Sequence, residues 1–331
     1  MKLRFDSNQE YQLRAIQSVV DIFEGQPLKG GDFEINLSQD GQYLSALGIG
    51  NKLVLPGEQI LANVQKVQAD NELYPTAALD GMNLFIEIET ATGKTYVYLR
   101  TIYELHKAYG FKKYVIVVPS IAIREGALKN LEITHDHLQN LYGNVPVTFD
   151  VYDSKKVSSL RGFALSNAIQ ILVLNIDSFA KDENIINKPN DKLTGNRPVE
   201  FIQATNPIVI VDEPQNMETD IRKKAIANLN PLCTLRYSAT HTNLYNLIYS
   251  LNPVKAYDLG LVKQIEVDSV IAEDDHNSAF IAVESFVKAR TKTAVKLKLD
   301  VNTDKGVIRK TVTVDSRKPD LYELSNKRSI Y

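Results

Sequence analysis

The chain holds a single cysteine, Cys233, among 331 residues. That count excludes an internal disulfide and any zinc site built from a cysteine cluster. Charge of one sign is missing too: 38 Lys and Arg against 40 Asp and Glu leave a formal net charge of −2. Bulk coating of nucleic acid is thereby excluded, whereas a narrow groove that grips phosphates is not. No run approaches the roughly 18 uninterrupted apolar residues of a membrane span, and Met1-Lys2-Leu3-Arg4-Phe5-Asp6 lacks the apolar core of a secretory signal. These features read as a cytoplasmic protein with no membrane partner. Histidine is scarce, 5 in all, and the one close pair, His135 and His137, lies on a charged segment that reads as solvated surface without metal-ligand partners.

What is present is a long alternation of strand and helix signals from about Leu84 to Val262. Apolar runs at Leu84–Ile88, Tyr114–Pro119, Val147–Tyr152, Ile169–Asn175, Ile208–Asp212 and Thr234–Ser238 read as strands. Helical periodicity lies between them, as in Tyr96 to Tyr109, where Val97, Leu99, Ile102, Tyr103 and Leu105 are apolar. Such alternation predicts an α/β fold with a mostly parallel sheet covered by helices on both faces. The segment from about Gly25 to Pro75 is rich in Gly, Gln, Asn and Asp and reads as an insertion of loops and short strands. Near the C-terminus Val295, Leu297, Leu299 and Val301 alternate with polar residues. Asn302-Thr303-Asp304-Lys305-Gly306 then turns the chain into Val307–Val314, which predicts a β-hairpin in a smaller β-rich segment.

Two constellations carry chemistry. The run Leu84 to Ile88 feeds directly into Glu89-Thr90-Ala91-Thr92-Gly93-Lys94-Thr95, and a helix follows. A phosphate-binding loop needs that context, because backbone N–H groups of a tight turn and of the first helical turn point at the phosphates. Thr90, Ala91, Thr92, Gly93, Lys94 and Thr95 are therefore candidate nucleotide-binding residues. Lys94 would reach the β and γ oxygens, and the Thr95 hydroxyl would ligate Mg²⁺. The pattern departs from Gly-x-x-x-x-Gly-Lys-[Ser/Thr] in having Ile88 at the first glycine, and Ala91 stands where many such loops carry another. An ordinary helix N-terminus that ends in Thr-Gly-Lys-Thr is the alternative.

The second constellation lies roughly 120 residues further on, where Pro207-Ile208-Val209-Ile210-Val211 runs into Asp212-Glu213-Pro214-Gln215. Adjacent carboxylates at a strand end suit nucleotide hydrolysis: Asp212 would hold the Mg²⁺ water shell, and Glu213 would orient and deprotonate the attacking water. By itself the pair could be a solvated turn. Both motifs follow buried strands, which fits opposite sides of one crevice at the carboxyl ends of a parallel sheet.

The ordered set of motifs resembles the first motor domain of a superfamily 2 helicase. Within that superfamily it most resembles the restriction subunit of type III restriction-modification enzymes. The resemblance runs through Asn8-Gln9-Glu10-Tyr11-Gln12 with Ala15-Ile16, the loop Glu89 to Thr95, Val118-Pro119-Ser120 with Ile123-Arg124-Glu125-Gly126, Asn175-Ile176-Asp177-Ser178-Phe179, Asp212-Glu213-Pro214-Gln215-Asn216-Met217-Glu218, and Ser238-Ala239-Thr240-His241. Asp-Glu-Pro-Gln and the Ile-Arg-Glu-Gly segment point to the restriction family in particular. The resemblance implies a RecA-like domain of the phosphate-loop NTPase class, with ATP and Mg²⁺ as cofactors and with double-stranded DNA and a modification methyltransferase subunit as partners. It makes Lys94, Asp212 and Glu213 catalytic. It assigns Gln12 to the adenine edge, which suits a two-sided amide. Ser120 and Arg124 would touch a DNA phosphate, while Gln215, Ser238 and Thr240 would couple the nucleotide site to the DNA groove. Against these roles stand plain ones: a polar helix face for Gln12, an exposed loop for Ser120 and Arg124, and a cap for Ser238 and Thr240.

On this reading residues 1–83 hold the adenine-recognition helix and an insertion, 84–262 form the ATP-binding motor domain, and 263–331 form the hairpin-containing segment. After Leu261-Val262-Lys263-Gln264-Ile265 the sequence turns to charged, strand-like segments. A second motor half would need about 100 further residues. The family's second half, with its transition-state arginine, and its nuclease domain are not recognisable, so the sequence is expected to be a piece of a longer translocase. Another superfamily 2 DNA or RNA helicase, or a nucleotide-dependent switch without turnover, are the alternatives.

Overall fold

The strand order β3-β4-β2-β5-β6-β1-β7 defines the larger of two sheets, and every pairing in it is parallel. The computed structural model describes residues 5–28, 47–79, 81–240, 245–263, 280–288, 293–303 and 306–315. His241, the middle of the Gly25 to Pro75 segment, Gln264 and Ile265, and the Asp304-Lys305 tip of the hairpin lie outside the described residues, as does the start of the chain. Two compact units are present, Met1–Gln264 and Ile265–Tyr331.

The first unit runs α1 (Glu10–Asp21), α2 (Gly57–Asp70), β1 (Asn83–Ile88), α3 (Lys94–Tyr109), β2 (Lys113–Val118), α4 (Ile121–Leu141), β3 (Val147–Val151), α5 (Ser159–Leu165), β4 (Ile169–Asn175), α6 (Pro198–Gln203), β5 (Ile208–Asp212), α7 (Asp220–Asn228), β6 (Cys233–Ser238), β7 (Leu247–Leu251) and α8 (Pro253–Asp258). All six strands expected from apolar runs are present, shifted by no more than a residue or two at their ends. The central strands are mostly apolar because both faces of the sheet are buried there, whereas the edge strand β3 alternates Val147, Phe149 and Val151 with exposed Thr148 and Asp150. Leu84, Ile86 and Ile88 of β1 join Leu235 and Tyr237 of β6 and residues of α1, α2 and α3 in one core. Val209 and Val211 of β5 join Val115 and Val117 of β2 with residues of α5, α6 and α7 in a second core on the other face. Helices thus cover both faces.

Part of the Gly25 to Pro75 segment departs from expectation. Its described residues hold no strand but a helix of 14 residues, α2. The amides that suggested loops are interior links: Gln68 Nε2 donates to Leu247 O at 2.8 Å, and Asn71 Nδ2 donates to Ser18 Oγ at 2.8 Å and to Ile248 O at 2.7 Å. They tie α2 to α1 and to the edge strand β7. The His135 and His137 expectation is also revised, since α4 turns the His137 ring onto Tyr96, with Nε2 3.0 Å from the Tyr96 hydroxyl, and His135 onto Phe149.

In the second unit β8 (Ile281–Lys288), β9 (Thr293–Thr303) and β10 (Gly306–Val314) form an antiparallel sheet in the order β10-β9-β8. The expected hairpin is β9 with β10, in register Val301 opposite Ile308. Arg309 grips Asp300 across that pair with two hydrogen bonds of 2.8 and 3.1 Å.

Candidate nucleotide site

The loop after β1 and the carboxylates after β5 meet because only β6 separates the two strands. Gly93, at φ +93°, caps the start of α3, so the loop leaves the strand and enters the helix within a few residues. Thr92 closes this turn: its N–H donates to Glu89 O at 3.3 Å and its hydroxyl to the same oxygen at 2.7 Å. Ala91 has φ +64°, the left-handed conformation that glycine adopts without strain. The loop therefore keeps the glycine-type backbone at the position where the sequence departs from the common pattern. The Thr90 N–H donates to the Glu89 carboxylate at 2.8 Å, an anionic acceptor at a loop that would cradle phosphate.

Lys94 opens α3 and points across β6. Its ammonium forms a short ion pair with Glu213 and lies 3.2 Å from Asp212 Oδ1. The three side chains are 15%, 29% and 6% exposed for Lys94, Glu213 and Asp212, so the pairing is shielded from water yet open on one side. Glu213 adopts φ +57°, uncommon for a residue with a Cβ, and its N–H donates to Tyr237 O at 3.1 Å. This bend, fixed by Pro214 at the start of the next turn, turns the second carboxylate back beside the first. Backbone strain of this kind concentrates at functional sites.

The remaining predicted residues fall into two groups. Gln12 reaches the loop: Nε2 donates to Thr92 O at 3.1 Å, and the Tyr11 hydroxyl donates to the same carbonyl at 2.9 Å. Gln215 Nε2 donates to Glu213 Oε2 at 2.6 Å, Ser238 Oγ donates to Gln215 Oε1 at 2.8 Å, and the Thr240 N–H donates to Ser238 Oγ at 3.0 Å. Gln215 and Ser238 are thus chained to the Glu213 carboxylate, and Thr240 joins through its backbone. Ser120 and Arg124 lie elsewhere. Ser120 caps α4 by accepting from Ile123 N at 3.3 Å, and Arg124 is paired with Glu125 at 2.8 Å. Arg124 lines a cavity of about 740 Å³ with Glu125, Asp150, Asp153, Lys156 and Glu183, so carboxylates outnumber cations on its wall.

Three participants were not foreseen. Tyr11 braces the loop carbonyl beside Gln12. Tyr98, fully buried, brings its hydroxyl 3.4 Å from Asp212 Oδ2; its spacing of one helical turn from Thr95 was the available signal. Burial first, then the Asp212 charge, holds the Tyr98 phenol well above its ordinary pKa. Arg236 of β6 is buried between Glu218 at 3.1 Å and the Tyr245 ring at 4.5 Å, joining the segment after the carboxylates to the segment after β6.

The donor set fits Mg²⁺. Asp212 Oδ1 is buried and accepts no hydrogen bond, the Thr95 hydroxyl lies on the first turn of α3, and among the described residues no group of three His, Cys, Asp or Glu side chains could hold a metal. Mg²⁺ commonly takes one or two carboxylates and fills its octahedron with waters and phosphate oxygens.

Residues 7–243 match the family model described as "Type III restriction enzyme, res subunit". The chain belongs to that family. Similar curated proteins include the Res subunit of the type III restriction-modification enzyme StyLTI of Salmonella typhimurium, 29% identical over 245 residues, which covers 62% of this chain and 25% of that protein. The EcoP15I Res subunit of Escherichia coli is 28% identical over 240 residues, 65% of this chain and 24% of that protein. This chain therefore spans about a quarter of the length of these relatives. Among solved structures, the UvsW helicase of bacteriophage T4 is similar at a TM-score of 0.33 and 16% identity, over 60% of this chain and 57% of that one. A nuclease-deletion mutant of the type ISP restriction-modification enzyme LlaGI, in complex with a DNA substrate mimic, is similar at 0.37 and 14%, over 61% and 20%. Similarity at that level carries no functional weight. No described helix is long and apolar enough to cross a membrane.

Proposed function

We propose that this chain is the ATP-binding and hydrolysing motor module of a type III restriction enzyme, acting on double-stranded DNA beside a modification methyltransferase subunit. In this proposal 84–262 is the motor domain, 1–83 contributes adenine recognition through Gln12, and 263–331 is an appended β segment. The observation that carries it is Lys94 reaching from the phosphate loop to both Asp212 and Glu213. One cation between two carboxylates suits a site in which an incoming triphosphate takes over the lysine.

In that exchange Lys94 leaves Glu213 for the β and γ oxygens, and the loop N–H groups meet the remaining phosphate charge. Glu213 is then free to accept a proton from water, while the Gln215 amide keeps its Oε2 in place. Asp212 and Thr95 would hold Mg²⁺, which supplies charge neutralisation on the phosphate oxygens. Gln215, Ser238 and Thr240 provide a hydrogen-bonded route from the Glu213 carboxylate towards the segment after β6. Ser120 and Arg124 are proposed phosphate contacts on DNA, with Arg124 exchanging Glu125 for a phosphate oxygen.

Substitution at the two carboxylates tests the assignment. Glu213→Gln keeps shape and hydrogen bonding but takes no proton, so in a DNA-stimulated ATPase assay of the longer protein turnover should disappear while ATP binding persists. Asp212→Asn should instead weaken the Mg²⁺ dependence of binding. Equal and mild effects of both changes would mean the pair is an ordinary solvated turn.

A further inference from the structure

The Tyr98 hydroxyl is a polar group placed in the interior, and such a group is costly unless it is hydrogen-bonded. Phenylalanine would fill the same volume and pack equally well edge-on against Tyr237, whose ring centroid lies 5.7 Å away. The hydroxyl therefore needs an explanation apart from packing. Its neighbours supply one. It stands 3.4 Å from Asp212 Oδ2. Asp212 Oδ1 accepts no hydrogen bond and faces the Lys94 ammonium at 3.2 Å.

We infer that Tyr98 is a positioning residue for the metal-binding carboxylate of Asp212, an inference that rests on the nucleotide-site reading above. The phenol O–H donates to Oδ2 and fixes the rotation of the carboxylate, so that Oδ1 is the oxygen offered to the cation's shell. Groups that orient metal ligands from behind typically change metal affinity by about 10–100-fold when removed.

The test measures binding of a fluorescent ATP analogue to residues 1–331 as a function of Mg²⁺, and again in EDTA, for the parent, Tyr98→Phe and Tyr237→Phe. Tyr237 is the control, since its hydroxyl faces Thr101 Oγ1 at 3.4 Å and not the carboxylate. Tyr98→Phe should raise the Mg²⁺ concentration for half-maximal binding about tenfold, leave binding in EDTA within about twofold, and keep the far-ultraviolet circular dichroism of the parent. Tyr237→Phe should follow the parent. In an Asp212→Asn background Tyr98→Phe should add almost nothing, because the hydroxyl then has no metal-binding carboxylate to orient. A Mg²⁺ titration of Tyr98→Phe that overlays the parent overturns the inference and leaves the nucleotide site standing. Equal weakening with and without Mg²⁺, or loss of the fold, would show that the hydroxyl serves the core and also overturns it. A parent that shows no Mg²⁺-dependent binding overturns both readings together.

Discussion

Gln12 and Gly93 are packed so closely that a Cβ on Gly93 would stand 2.5 Å from Gln12 Nε2. The same amide nitrogen donates to Thr92 O, so the helix α1 and the phosphate loop are braced against each other through one side chain.

Gly93→Ala should therefore act twice. The methyl group displaces the Gln12 amide from Thr92 O, and alanine at φ +93° is strained by about 1–2 kcal/mol. Chemical denaturation should show a loss of that order, and competition binding should show the preference for ATP over GTP moving towards unity. An unchanged preference would remove Gln12 from adenine recognition.

The contrast between β1 and β7 shows how far the sequence could be read. Strand β5 is a continuous apolar run up to Asp212, and Leu84 to Ile88 of β1 is apolar but for Glu87, because both faces are covered, and that signal survives without any knowledge of the fold. The edge strand β7, Leu247-Ile248-Tyr249-Ser250-Leu251, carries Tyr249 and Ser250 in its middle and follows a polar stretch, so its pattern is too weak to stand alone. The Ser250 hydroxyl donates to the Glu87 carboxylate, a pairing that exists only once β1 and β7 are neighbours. For the same reason the amides of α2 resembled loop residues. That Lys94, Asp212 and Glu213 would come together was legible because each motif follows its own strand. Tyr98 was not, since a tyrosine on a buried helix face is ordinary until the strand order places Asp212 beside it.

Stability should depend on pH through Lys113. Its ammonium is buried against the carbonyls of Phe163, Ala164 and Ser166 at 2.5, 3.1 and 2.7 Å. Burial, and less so the neighbouring Lys112, pushes its pKa down to about 7. Between that value and the ordinary lysine range the unfolded chain binds the extra proton, so stability rises with pH there, by up to about 1.4 kcal/mol per unit. Denaturant midpoints measured from pH 7 to pH 10 should climb in the parent and flatten in Lys113→Met. A parent midpoint independent of pH would mean the carbonyls keep the lysine fully charged.

The polypeptide of residues 1–331 should bind ATP yet turn it over slowly by itself. Arg124 is held by Glu125, and Arg236 is buried against Glu218. Both guanidinium groups are thus engaged by carboxylates outside the Lys94, Asp212 and Glu213 cluster, and an arginine at the γ-phosphate is worth about 10³–10⁵ in rate in related phosphoryl transfer. Steady-state ATPase assays with and without duplex DNA check this. Fast DNA-stimulated turnover would require an arginine from within these residues, with Arg161 a further candidate, or from a second copy.

The most direct measurement is the affinity of a fluorescent ATP analogue, in Mg²⁺, for the parent and for Lys94→Ala. Lys94 is the cation between Asp212 and Glu213 and the charge that an incoming triphosphate would recruit. Charge-assisted contacts of this kind are worth about 1.5–3 kcal/mol, so the substitution should weaken binding about tenfold or more. Equal affinity for the two proteins would contradict the assignment of Glu89 to Thr95 as a phosphate-binding loop.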